Sequence, residues 1–418
     1  MLLTAFDVAF AQSGAYTGYT PYSIYGIGDL NNEGSAHNNA MAGVGIATRN
    51  RKYINTLNPA SVTARDSLSF MADMSLLQTN TLLQQTGKSN VNNNFNIQSI
   101  SMSFPIYKSS AMMLGIQPFS STGYKTMGWV GDESVLAQTG NILDVWSGEG
   151  GLNKGFVAAG VTFWKKLSLG VEYDLFFGKI SKDYTRTLAK SDFSGYSGGN
   201  VLNLTAHTVK GGLQYEQKIG RYTLGLGATY RKQAKLKGYI ETYADTLSVT
   251  DTLNLTGGAK IGSEVGVGIS FRRGEIWRME VDYTRSDWTN CNFDGTAGLR
   301  SSSPTGASFS ASTAQTIRAG FEITPNPSDI RYYLRKCTYR AGVYYKQAYY
   351  KFDGNVVNSY GLTLGATFPV FRLSNGLTIG MEVGQRGSIK NNMVKESFIN
   401  FSAGFNIYDI WFRKSRYN

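Results

Sequence analysis

From residue 66 onward, large apolar residues repeatedly alternate one for one with small or polar ones. A period of two means a β-strand with unlike faces. In 399–407, Ile399, Phe401, Ala403, Phe405 and Ile407 alternate with Asn400, Ser402, Gly404 and Asn406. The same beat recurs in Leu377–Val383, Tyr360–Phe368, Trp277–Thr284, Tyr222–Arg231 and Leu167–Leu175. No run of about 18 apolar residues follows the N-terminus, so the sequence holds no transmembrane helix there. Such strands fit either a sandwich that buries its apolar faces or a barrel that turns them to lipid. The alternation by itself does not choose.

Two features favour the barrel. Aromatic residues close the apolar rows, as in Tyr222/Tyr230, Trp277/Tyr283 and Tyr360/Phe368, where the girdles of a membrane barrel belong. The connections also alternate in length. Strands are expected at 67–77, 95–106, 111–121, 155–164, 166–183, 203–217, 221–241, 259–272, 275–287, 312–324, 337–351, 355–369, 376–386 and 396–408. The count is fourteen, even as bacterial barrels require. Long connections fall at 78–94, 122–154, 184–202, 242–258 and 288–311, and tight turns at 107–110, 164–166, 218–220 and 273–274. After 311 this alternation weakens. Short periplasmic turns and longer outer loops are the pattern of an outer-membrane barrel, with both termini periplasmic. Composition agrees: 48 Gly, 26 Tyr and 22 Phe stand against 8 Pro and 17% charged residues. The mean hydropathy of −0.23 is no objection, because only every second residue meets lipid.

Four segments follow. Residues 1–11 end in Ala9-Phe10-Ala11 and read as a signal-peptide remnant, despite Asp7 and the missing basic start. Residues 12–65 are rich in Gly, Asn and Tyr without clean alternation; their length suits a hatch or plug inside the barrel. Residues 66–408 are the barrel, and 409–418 a basic periplasmic tail. Cys291 and Cys337 fall at opposite ends of this topology, too far apart to bond. With His37 and His207 the only histidines, neither Cys/His catalysis nor a metal site is expected. No cofactor is called for, and the chain reads as no enzyme.

The formal charge is +12, yet nothing resembles a nucleic-acid module. The positive charge gathers on the expected periplasmic rim, at Lys165, Lys166, Arg272, Arg273, Arg335, Lys336, Arg413 and Lys414. It suits outer-membrane lipid and lipopolysaccharide by snorkelling, or an acidic periplasmic partner. The connection 122–154 carries Met127, Trp129, Val130, Leu136 and Trp146, which read either as a greasy ligand-catching loop or as a loop packed on its own aromatics.

In the N-terminal segment, Ala40-Met41-Ala42-Gly43-Val44-Gly45-Ile46-Ala47 is followed by Leu57-Asn58-Pro59-Ala60-Ser61 just before the first strand. This resembles the FadL/TodX-like family of outer-membrane channels for long-chain fatty acids and aromatic hydrocarbons. There a hatch with a small-residue stretch and an Asn-Pro-Ala motif precedes fourteen strands. The resemblance implies a passive uptake channel for hydrophobic small molecules, with Gly43, Gly45, Asn58, Pro59 and Ala60 in its gate. Read from the residues alone, Pro59 fixes its φ and excludes Asn58 from the helical region, which makes a rigid corner before a strand. The sequence departs from such a channel in its charged inward positions: Glu172, Asp174, Glu280, Asp282, Arg318, Glu322, Arg340, Lys346 and Glu382. The opposed Arg and Lys are expected to pair with the acids. The chain also resembles FadL-like barrels of Bacteroidetes-type outer membranes that serve as non-transporting subunits of secretion or barrel-assembly complexes. The partners implied are therefore hydrophobic small molecules in the first reading, and other outer-membrane or periplasmic proteins in the second.

Overall fold

A computed structural model describes residues 18–65, 69–107, 109–129, 140–188, 195–244, 249–300, 308–370 and 376–410. Fourteen antiparallel strands close into one barrel. They are β1 (Ser69–Gln85), β2 (Lys88–Tyr107), β3 (Ser110–Trp129), β4 (Ile142–Phe163), β5 (Leu167–Leu188), β6 (Tyr196–Ile219) and β7 (Tyr222–Arg231, resumed at Lys237–Ala244). The circuit continues with β8 (Val249–Asn254, resumed at Ser263–Arg273), β9 (Trp277–Asp287), β10 (Phe309–Ala311 and Thr313–Ile323), β11 (Thr338–Phe352), β12 (Asn355–Pro369), β13 (Gly376–Arg386) and β14 (Lys395–Ile410). β14 pairs back onto β1 from Ser69↔Ile410 to Gln84↔Lys395, which closes the circuit. Each expected strand is present. Among the described residues no helix is long and apolar enough to cross a membrane.

The alternation appears as two faces. On β5, Leu169, Val171, Tyr173 and Leu175 are exposed, while Ser168, Glu172 and Asp174 are buried. Val265, Val267, Ile269 and Phe271 on β8 continue the outer apolar belt, as do Ile399, Phe401, Phe405 and Ile407 on β14. A protein interior made of Ser, Gly, Asp, Glu, Lys and Arg beneath an apolar exterior is the inverse of a sandwich and fits a barrel in lipid. Aromatics bound the belt. Phe271 stacks on Tyr222 with centroids 5.1 Å apart, and Trp277 lies 5.7 Å from Phe271. Tyr173, Tyr230, Tyr345 and Tyr360 are exposed toward the other rim.

The barrel has a terminal end, where β1 begins and β14 stops, and a loop end opposite. Several connections expected to be long are strand instead. β1 and β2 meet at the two-residue turn Thr86-Gly87, with Gly87 at φ +76°; the 78–94 loop does not exist. The 122–154 segment is likewise an extended hairpin, since β3 runs to Trp129 and β4 starts at Ile142. Beyond the belt both faces of a strand meet water, so the chain drops its alternation while keeping its ladder.

The wall is uneven at β2–β3. The β4–β5 ladder is unbroken from Ile142↔Leu188 to Phe163↔Leu167. The β2–β3 ladder runs only from Ile100↔Ile116 to Tyr107↔Ser110. It stops two residues short of Pro118, which has no N–H to donate. Above that point β3 pairs with a two-residue strand of the N-terminal segment, Asp29↔Ser121 and Leu30↔Ser120.

Candidate functional site

The candidate site is the barrel interior, where residues 18–65 meet the inward faces of the strands. Near the loop end the contact is apolar. Tyr22, Ile24, Tyr25 and Ile27 join one buried cluster with Phe119, Phe176, Trp288, Phe293, Phe309, Tyr349 and Tyr350. Tyr25 stacks on Phe309 at 5.8 Å between centroids, and Trp288 sits 4.7 Å from Tyr349. The Tyr349 hydroxyl donates to the Gly28 carbonyl at 2.6 Å. The contact on this side is therefore one of packed aromatic rings.

At mid-depth the contact is ionic. Glu33, from the N-terminal segment, accepts from Lys154 at 3.0 Å, Lys210 at 3.5 Å and Arg231 at 2.8 Å. Lys154 also faces Glu172 at 3.4 Å, and Arg231 faces Glu264 at 3.2 Å. Asp29 pairs with Arg386 at 2.5 Å, which also holds Glu396 at 2.6 Å. Desolvated charges are tolerated only when paired in this way, so breaking one partner strands the others.

The small-residue stretch docks by its backbone. Gly45 and Ile46 N–H donate to Asp282 Oδ2 at 2.7 and 3.0 Å. Ala47 N–H donates to Glu280 Oε1 at 2.8 Å, and the Thr48 hydroxyl to Glu280 Oε2. Arg and Lys were expected to pair with this acidic couple on β9. Backbone amides meet it instead, because the small residues let the chain come close enough to present successive N–H groups. Gly43, at φ +78°, occupies a left-handed turn and donates to the Asn38 carbonyl at 2.7 Å.

The Asn-Pro-Ala corner is fully enclosed. Asn58 is 0% exposed. Its Oδ1 accepts from Ala60 N–H at 3.0 Å, which caps the short 3-10 turn Pro59–Thr63 with Pro59 in its first position. Its Nδ2 donates to the Ile46 carbonyl at 2.8 Å and to the Leu213 carbonyl on β6 at 3.2 Å. A side chain on Gly212 would strike Asn58, and one on Gly170 the Pro59 backbone. The inward glycines of β5 and β6 thus form the bed for this corner.

Two cavities flank the packed middle. One, of about 640 Å³, lies behind the β2–β3 break and is lined by Leu77, Phe95, Ile97 and Phe398 but also by Asp29, Lys346, Glu382, Arg386 and Glu396. The other, of about 970 Å³, opens at the terminal end. Lys165, Arg272 and Lys336 of the expected basic rim line it; Lys166, Arg273 and Arg335 do not. Arg335 instead covers the Tyr332 ring at 4.7 Å. Arg413 and Lys414 lie outside the described residues. Arg49 and Arg51, noticeable in the sequence as part of the basic stretch Arg49-Asn50-Arg51-Lys52 but not assigned to the rim, reach this cavity from the N-terminal segment together with Arg65, which had no sequence signal.

Three of the five residues read as a ligand-catching loop lie in strands. Met127 and Trp129 stand 61% and 69% exposed on the end of β3. Trp146 is on β4, 5.0 Å from the Tyr184 ring, and Val130 and Leu136 lie outside the described residues. The two thiols, Cys291 and Cys337, are free and buried. Among the described residues no group of three or more His, Cys, Asp or Glu is placed to hold a metal ion.

Solved structures with this fold include the CymD monoaromatic hydrocarbon channel, with 14% identity, a TM-score of 0.58 and coverage of 90% of this chain and 98% of that one. The Ralstonia pickettii toluene transporter TbuX gives 15%, 0.59, 90% and 98%. The P. putida toluene transporter TodX gives 14%, 0.57, 92% and 100%. No curated protein matches. At such identities the likeness is one of fold. The resemblance drawn from the N-terminal motifs is therefore right about architecture, while the family is a different one. The BamG family model matches residues 1–418, and the chain belongs to the BamG family.

Proposed function

We propose that this barrel is a non-conducting structural subunit of an outer-membrane protein complex, with residues 18–65 acting as a fixed plug and both ends of the barrel strands' circuit at the terminal side facing the periplasm. The observation that carries this reading is the interior: an aromatic seal, a desolvated ion network and a backbone clamp on Glu280 and Asp282 lie in series along the lumen. A conduit for greasy molecules needs an apolar pocket on its way. The cavity behind the β2–β3 break instead carries six charged side chains, Asp29, Lys179, Lys346, Glu382, Arg386 and Glu396, beside its apolar ones. Membership of the BamG family, distinct from the hydrocarbon transporters, supports the same reading.

The second reading, passive uptake of hydrophobic small molecules, is favoured by one observation. The β2–β3 break leaves the wall unpaired beside a cavity that Phe95, Ile97 and Phe398 line, and the solved barrels of this fold include toluene transporters. The test is a mild-detergent pull-down of tagged protein from native membranes, with mass spectrometry. Stoichiometric recovery with other outer-membrane or periplasmic proteins is expected. Recovery as a lone barrel overturns the subunit reading.

A further inference from the structure

The terminal-end cavity is more than a vestibule left by the plug. Among the described residues, ten Lys and Arg line it against three Glu. Those three are already engaged. Glu216 is shared by Arg49 at 3.6 Å and Arg272 at 3.0 Å, Glu322 by Arg278 at 3.2 Å and Arg340 at 2.7 Å, and Glu275 holds Lys52 at 3.0 Å. The surplus of positive charge is thus concentrated in one concave volume, whose low-dielectric walls focus its field outward. Arg65 spends its Nε on the Val62 carbonyl at 2.9 Å and its Nη2 on Ser103, while its buried Nη1 has no hydrogen-bond partner among the described residues. Burial brings the pKa of this guanidinium down to about 10, against a smaller opposing pull from Tyr408.

We propose that this cavity is a docking mouth for an acidic segment of a periplasmic partner protein, whose carboxylates complete the shell of Arg and Lys. The volume of about 970 Å³ is large enough for several residues of extended chain. It lies within the barrel circumference rather than on the lipid-facing wall, so an anionic lipid headgroup is the poorer fit. The proposal deepens the subunit reading and, as a partner contact, rests on it.

The test uses the full-length barrel in a neutral detergent, with fluorescein-labelled hexaglutamate as probe and hexaglutamine as control. Lys165, Lys218 and Lys336, all on the lining, are replaced together by Gln; unchanged heat-modifiable gel mobility shows that this variant folds. Hexaglutamate is expected to bind, to weaken steeply with salt, and to lose roughly tenfold or more in the variant, as removal of three partly hydrated charge pairs implies. Absence of binding, or binding that ignores the variant, overturns the proposal. Full displacement by millimolar inorganic phosphate would make this a small-anion site and also overturn it. So would lysine-dependent binding of phosphatidylglycerol vesicles without binding of hexaglutamate. The two readings fail separately: peptide binding by a barrel that is recovered alone from membranes keeps the acidic site and sinks the complex, whereas a stable complex whose barrel ignores hexaglutamate does the reverse.

Discussion

The two ends of the lumen are lined in opposite ways. At the loop end Tyr25, Trp288, Phe309 and Tyr349 form a dry cluster. At the terminal end Arg49, Arg272, Lys336 and their neighbours surround an open cavity. Apolar burial is non-directional and cumulative, so a cluster of rings holds itself together without a further partner. An excess of one sign of charge is not self-sufficient and is held in readiness for a counter-charge. In one barrel, the first end carries apolar packing and, in the reading proposed above, the second offers recognition.

The largest effect should come from the dry end. Trp288→Ala removes a fully buried ring and should cost about 3–5 kcal/mol, seen as a lower midpoint of heat-induced gel-mobility shift. An unchanged midpoint would break the contrast, because the aromatic cluster would then be decoration. Next comes the mid-depth clamp. Asp282→Ala leaves the Gly45 and Ile46 amides without their acceptor, a loss of about 1–3 kcal/mol for a buried unsatisfied donor. A cysteine placed at Val44 should be labelled faster by maleimide in that variant than in its parent. At the wet end Lys218→Gln should change stability by less than about 0.5 kcal/mol, again by gel shift. A drop comparable to that of Trp288→Ala would mean that the charged mouth is itself structural.

The thiols sharpen the contrast through pH. Burial, with Asp287 beside it, pushes the Cys291 thiol up to about 12. Because the thiolate is the reactive form, the folded protein should resist maleimide at Cys291 at pH 7.5, and reactivity should rise only in strong alkali or on unfolding. Mass spectrometry of labelled peptides reads this directly.

Much of the architecture is legible in the sequence because lipid enforces it. Wherever a strand crosses the belt, as in Leu169–Leu175 or Ile399–Ile407, one side must be apolar, and each of the fourteen strands announces itself in this way. Outside the belt the constraint lapses. Thr79, Asn80 and Thr81 face Asn94, Asn93 and Asn92 across the ladder, and no period in them distinguishes that ladder from a loop. The interior is legible only in half. Glu280 and Asp282 stand out as an i, i+2 acidic pair, but their partners are amides more than 230 positions away, chosen by a close approach that small residues permit and no local pattern encodes. Asn58 was recognisable as a corner; that it rests on Gly170 and Gly212 follows only from the closed barrel. The β2–β3 break had a visible cause in Pro118, yet its consequence depends on which neighbour β3 would otherwise have met.

The central claim is that the lumen conducts nothing. Uptake of radiolabelled toluene and of a radiolabelled long-chain fatty acid, in a Gram-negative host lacking its own channels for them, tests it most directly. Cells producing this barrel should match the empty-vector control, whereas deleting residues 18–65 from a barrel that still folds should open it. Saturable uptake through the intact barrel would contradict the account and assign the β2–β3 break to the path of entry.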